Sequence, residues 1–109
     1  MAKFHGNHKK NPKLHHLYEI VDKKEDDTFK YGISGDPISP KDGLSKRVRD
    51  QVTLGNLFAG WLRYFGRILL KNIEGNAKAR IIEDKHLDNY FKKHGRFPIG
   101  NRDRNKKKK

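Results

Sequence analysis

Residues 17–34 read LYEIVDKKEDDTFKYGIS, and the reading of this stretch decides the fold. Leu17 to Val21 is a short β-prone run. Residues 28–34 alternate. Phe29, Tyr31 and Ile33 fall on one face of a strand, and Thr28, Lys30, Gly32 and Ser34 on the other. The charged segment from Asp22 to Asp27 joins the two runs, so together they predict a β-hairpin. Gly35 to Gly43 contains Pro37 and Pro40 and reads as a loop. A helix follows, with Asp42 or Ser45 as its cap, because Leu44, Val48 and Val52 recur every four residues while Arg47, Arg49 and Asp50 point elsewhere. Gly55 and Gly60 punctuate the next stretch, and Leu57 to Tyr64 predicts a second short helix. Ile68 to Ile73 predicts a third strand, closed by Glu74-Gly75. A long helix from Asn76 to Lys93 then runs up to Gly95, a residue suited to a helix C-terminus. The order β-β-α-α-β-α is that of an α+β domain, a small three-stranded, mostly antiparallel sheet flanked by helices.

The chain of 109 residues suits one small domain. It carries 26 Lys+Arg against 13 Asp+Glu, a formal net charge of +13, which favours an acidic partner such as nucleic acid. The excess is uneven. Residues 1–16 hold +4, residues 102–109 hold +5, and everything between holds only +4. The expected layout is therefore a basic flexible arm over 1–14, a folded domain over 15–101 and a basic tail over 102–109. Cysteine is absent, which excludes disulfides, thiolate catalysis and cysteine-bound zinc. No stretch has the ~20 apolar residues of a membrane span, and no apolar h-region follows a charged start, so neither a membrane segment nor a signal peptide is expected.

Several unlike residue types fall at telling places along this layout: Tyr18 on the first strand, Gly32-Ile33-Ser34 closing the second, Arg47 on the helix after it, Ala79-Arg80-Ile81-Ile82-Glu83 within the long helix, and Pro98-Ile99-Gly100-Asn101 near the end. In this order the set resembles the GIY-YIG nuclease superfamily, and most closely its bacterial toxin branch, the URI-fold toxin domains. The resemblance spans residues 15–101. It departs from the superfamily pattern at His16-Leu17, which stand before the first tyrosine in place of Gly-Ile. It also leaves the second motif open. If Gly32 and Ser34 match the motif's Gly and Ser/Thr, Lys30 takes the tyrosine's place, and strand phase agrees, because Lys30 shares a face with Gly32. A literal match would select Tyr31 instead.

The resemblance implies a metal-dependent endonuclease that hydrolyses phosphodiester bonds of DNA with little sequence preference. Its catalytic residues would be Tyr18, Lys30 or Tyr31, Arg47, Glu83 and Asn101. Tyr18 would take a proton from the attacking water, and needs a positive neighbour to do so near neutrality. Lys30 would supply that charge, or hold the water or phosphate. Arg47 has a fork of donors for phosphate oxygens. Glu83 is a hard ligand suited to Mg²⁺ or Mn²⁺, an ion that keeps several waters and takes other ligands from the substrate. Asn101 would orient phosphate or a neighbouring side chain. His16, Ser34, Arg49 and Lys106 to Lys109 are candidate nucleic-acid contacts, and His16, on Tyr18's face, is also a second candidate proton acceptor. No small-molecule cofactor is expected. The same resemblance implies a secreted bacterial effector, such as a type VI secretion effector, acting in the cytoplasm of a target cell, with a cognate immunity protein guarding the producer.

Two other readings stay open on the residues themselves. A basic module that only binds nucleic acid explains the charge but has no need of the ordered Tyr18, Arg47, Glu83 and Asn101 set. An RNA-cleaving nuclease needs the same set, and nothing in the sequence separates RNA from DNA. The histidines do not suggest zinc, because His15 and His16 are adjacent in a strand and point to opposite faces. Phe58, Trp61, Tyr64 and Phe65 cluster near helical spacing and are expected to pack in the core.

Overall fold

The computed structural model describes residues 13–107. The sheet has three antiparallel strands in the order β2-β1-β3. Strand β1 spans Leu14–Asp22, β2 spans Asp27–Ser34 and β3 spans Tyr64–Glu74. Helix α1 (Lys46–Ala59) lies between β2 and β3 in sequence, α2 (Asn76–His94) follows β3, and the short α3 (Arg102–Lys107) comes last. The α+β class and the antiparallel sheet match the sequence reading.

β1 is central, and its alternation serves two cores. Tyr18 and Ile20 pack with Val48 of α1, joined by Val52, Tyr64 and Ile68. Leu17 packs on the opposite face with Ile73 and with Ala79 of α2, joined by Ile33, Leu69 and Ile82. The sheet is thus sandwiched between α1 and α2, and small residues allow close approach. A methyl at Gly66 would stand 2.5 Å from Val48 Cγ1, so α1 rests almost on the backbone of β3. The polar residues buried on β1 are all partnered. Asp22 accepts from Arg63 Nε and Nη2 at 2.8 and 2.7 Å, and Glu19 accepts from Arg67 Nε at 2.7 Å and from the Thr28 hydroxyl.

Four sequence expectations change. Leu57 to Tyr64 is not a separate helix. α1 runs through Gly55 and ends at Gly60, whose left-handed φ of 80° closes it. Gly55 stays helical because a methyl there would meet the Tyr64 ring at 2.9 Å, so it is a packing glycine and not a breaker. Phe29 does not share a face with Tyr31 and Ile33. The register slips between Ile20 and Val21, leaving one extra residue on β2, and the bulge turns Phe29 onto the Tyr18 side, 5.0 Å from the Tyr64 ring. Phe58 and Trp61 are not core residues; they are 85% and 50% exposed, while Tyr64 does pack inward. Finally, the segment from Arg102, expected as a flexible tail, begins as helix α3. Lys106 and Lys107 close that helix, Lys108, Lys109 and residues 1–12 of the arm expected over 1–14 lie outside the described residues, and Leu14 of that arm already belongs to β1.

Candidate active site

Tyr18 sits on the central strand, so its ring must cross β2 to reach an opening. Gly32, its register partner, makes this possible. A methyl at position 32 would stand 2.3 Å from Tyr18 Cζ and 2.4 Å from its hydroxyl. The ring therefore lies flat over the missing side chain, and the phenol reaches towards the β2 edge while staying buried. Lys30, two residues earlier on the same face, meets it there. Gln51 of α1 bridges them. Its Oε1 accepts from the Tyr18 hydroxyl at 3.3 Å and from Lys30 Nζ at 3.3 Å. An ammonium has only donors, so the amide oxygen must face the pair, and Tyr18 in turn is held as a donor. Arg47, one helical turn before Gln51, brings its guanidinium to the same hydroxyl.

α2 contributes from beyond the edge. Arg80 and Glu83 line a cavity of about 470 Å³ with Lys30, Asn101, Arg102 and Arg104. Helix α3 is therefore part of the cavity wall and not a remote tail. Burial raises the Glu83 carboxyl above the usual carboxylate range, against the opposing charges of Arg104, Arg80 and Lys30. Burial, reinforced by Arg47, lowers Lys30 below an ordinary lysine. Burial raises the Tyr18 phenol, and the Arg47 charge only partly offsets it. Both directions favour the uncharged forms: Tyr18 holds its proton more firmly than a free phenol, and Lys30 holds its proton less firmly than a free ammonium.

The other candidates are placed as follows. Tyr31 points to the opposite face, its ring against His86 and Tyr90 of α2, and Lys30 is the one of the two that stands on Tyr18's face. Asn101 spends its amide on the backbone of β2: Oδ1 accepts from Tyr31 N at 3.0 Å and Nδ2 donates to Tyr31 O at 2.9 Å. It fixes the strand that carries Lys30, and the second hydrogen of its Nδ2 is left on the side that lines the cavity. His16 is buried, paired with Ser45 Oγ at 2.9 Å, and burial lowers its pKa. Ser34 is buried too, its hydroxyl accepting from Asp36 N. Arg49 grips Asp42 through two nitrogens. His16 and Ser34 are enclosed in the domain, whereas the Arg49–Asp42 pair lies at the surface. Gln51, Arg80, Arg102 and Arg104 join the site without having been singled out; spacing pointed to two of them, since Gln51 follows Arg47 by four and Arg80 precedes Glu83 by three.

Comparison with known families settles the lineage. The family model described as URI fold toxin 2 matches residues 8–95, most of the chain. The chain belongs to this family. Its members are toxin domains by that description, and the match covers Tyr18, Lys30, Arg47, Gln51 and Glu83 of the site. No curated protein and no solved structure matches the chain. In this URI-fold toxin, among the described residues, no helix is long and apolar enough to cross a membrane, and no three His, Asp or Glu stand together as a metal cage. Glu83, which lines the cavity with Asp103 and several cations, is a carboxylate of the kind that holds a hard divalent ion whose remaining ligands are water and substrate oxygens.

Proposed function

We propose that this toxin domain is a GIY-YIG-type endonuclease that hydrolyses DNA with little sequence preference in the presence of Mg²⁺ or Mn²⁺. The observation that carries the reading is the meeting of two strands and two helices at the β2 edge: Lys30 and Glu83 line one cavity, and Gln51 joins Lys30 to the Tyr18 hydroxyl, which Arg47 also approaches. A protein that merely binds nucleic acid needs no half-buried carboxylate among its cations.

In this scheme the scissile phosphate enters the cavity beside Arg80, whose guanidinium, with that of Arg47 near Tyr18, balances its charge as the attacking oxygen adds. Water forms a new P–O bond while the bond to the leaving sugar oxygen breaks. Lys30 in its amine form accepts the water's proton, and its lowered pKa makes that form more abundant. The Tyr18 hydroxyl orients the water, and the leaving oxygen takes its proton from solvent. Glu83 would hold the divalent ion, which supplies phosphate charge neutralisation when bound. Asn101 and Gln51 act as positioning residues.

The domain is proposed to act as a bacterial effector delivered into the cytoplasm of a target cell, by a type VI or similar route. An immunity protein in the producer, with acidic side chains directed at the cation-lined cavity, is the expected partner. A plasmid-nicking assay with Mg²⁺ tests the activity, with structured RNA as a second substrate. Nicking by the parent, lost with chelator and in Glu83→Ala and Arg47→Ala, is the expected result. Undiminished cleavage by both variants overturns it, and preferential cleavage of the RNA replaces DNA as substrate.

A further inference from the structure

Phe58 is 85% exposed and Leu54, one turn before it on α1, is 56% exposed, in a chain short of apolar residues. They are not scattered. They form one wall of a groove of about 830 Å³ whose floor is Phe29 and Tyr64 and whose far lip is Ile99, itself 62% exposed. The groove opens onto the cavity that holds Glu83, and Lys30, Gly100 and Arg102 line both. An apolar slot ending in Lys30 and Arg102 combines a surface for a flat ring with cations for a phosphate. This is the pairing of stacking and charge by which single strands of nucleic acid are held. Gly100 keeps the passage low, because a methyl there would strike the Phe29 ring at 2.6 Å.

We infer that this groove is a nucleobase subsite, in which the base next to the phosphate bound beside Lys30 leaves its neighbours and stacks on Phe58 between α1 and the 98–100 turn. The inference rests on the nuclease reading for the groove's purpose, but its structural content is binding. Because any base has a flat face, the subsite adds affinity without sequence choice. It favours a strand whose bases are unpaired, so frayed or single-stranded DNA is held better than intact duplex.

The test compares a short single-stranded DNA with an abasic strand of equal phosphate number, measuring affinity by fluorescence anisotropy with Ca²⁺ in place of Mg²⁺. The bases are expected to strengthen binding by the parent roughly 10-fold. Phe58→Ala should lose most of that gain and keep the salt dependence, and Phe58→Trp should restore it. Leu57→Ala, at an exposed apolar site outside the groove, should behave as the parent. Equal affinity of the parent for both strands, or full base dependence in Phe58→Ala, overturns the inference. A sedimentation shift in Phe58→Ala with base dependence intact also overturns it, and assigns the face to a second copy of the chain. Plasmid nicking is scored separately. Nicking without base dependence removes the subsite alone, and base dependence without nicking removes the nuclease reading alone.

Discussion

Replacing Gly32 with alanine tests how the site is assembled. The added methyl would stand 2.3 Å from Tyr18 Cζ and 2.4 Å from its hydroxyl, whereas ordinary contact begins near 3.4 Å, so the ring must retreat by about 1 Å. Tyr18 is only 1% exposed and is packed with Ile20 and Val48, which leaves little room for that retreat. Overpacking of this kind costs about 1–3 kcal/mol. The same methyl in a Tyr18→Ala background meets no ring. There it should be neutral or stabilising by about 0.5–1 kcal/mol, since glycine is a poor strand residue. The double-mutant cycle, read by urea denaturation, should therefore show a coupling of about 1–4 kcal/mol. On the nuclease reading, a hydroxyl displaced by about 1 Å lowers the single-turnover nicking rate by roughly 10²-fold, with plasmid affinity nearly unchanged. Additive stability effects would show that the ring does not lie over Gly32. A full nicking rate in a Gly32→Ala protein with intact fold would show that Tyr18's position does not matter to the chemistry.

Three further outcomes are expected. Glu83 has its folded pKa raised by burial, so its contribution to stability is present below the unfolded value and is lost as pH rises through the folded one. Glu83→Gln should consequently melt higher than the parent at neutral pH, by roughly 1–3 °C, and should lose any stabilisation by Mg²⁺; a lower melting point refutes this. Lys30 has its pKa lowered from 10.5, so the amine fraction, and with it the cleavage rate, should climb with pH through a midpoint below that value. Lys30→Arg should keep the positive charge and lose the climb, and an unchanged pH–rate profile in that variant removes Lys30 as the base. Deleting residues 105–109 should weaken DNA binding in a salt-dependent way at an unchanged saturated rate, whereas deleting 102–109 also removes Arg102 and Arg104 from the cavity wall and should lower that rate. Equal saturated rates for the two truncations would show that α3 is dispensable.

Much of this architecture was legible because alternation and helical spacing are strong signals. Tyr18 on β1, Arg47 on α1 and Glu83 on α2 follow from them, as does the placing of Lys30 and Tyr31 on opposite faces of β2. What was hidden follows from tertiary contacts. No local pattern announces the bulge that turns Phe29 over, because it is set by pairing with Ile20 and Val21. Gly55 reads as a breaker until the Tyr64 ring is seen against it. Gln51 is a neutral residue whose role exists only once two donors from the hairpin reach it. Asn101 was legible as a position but not as an act, since its partner, the Tyr31 peptide, lies 70 residues away.

That asparagine has a counterpart. Asn56, at the end of α1, accepts from Tyr64 N at 2.7 Å and donates to Tyr64 O at 3.2 Å, as Asn101 does with Tyr31. A side-chain amide presents the same donor and acceptor as a peptide unit, so each asparagine occupies one rung that a neighbouring strand would use. In a three-stranded sheet two strands are edges, and bare edges invite pairing with another copy of the chain. Here β2 is plugged at Tyr31 and β3 at Tyr64, and β3 is bent further by the register shifts in its pairing with β1 and by the positive φ of 60° at Asn72. The two plugs guard against edge-to-edge aggregation without lengthening the chain, and they leave the faces and the β2 rim open. Replacing both asparagines with alanine should be read first in the turbidity of a concentrated solution.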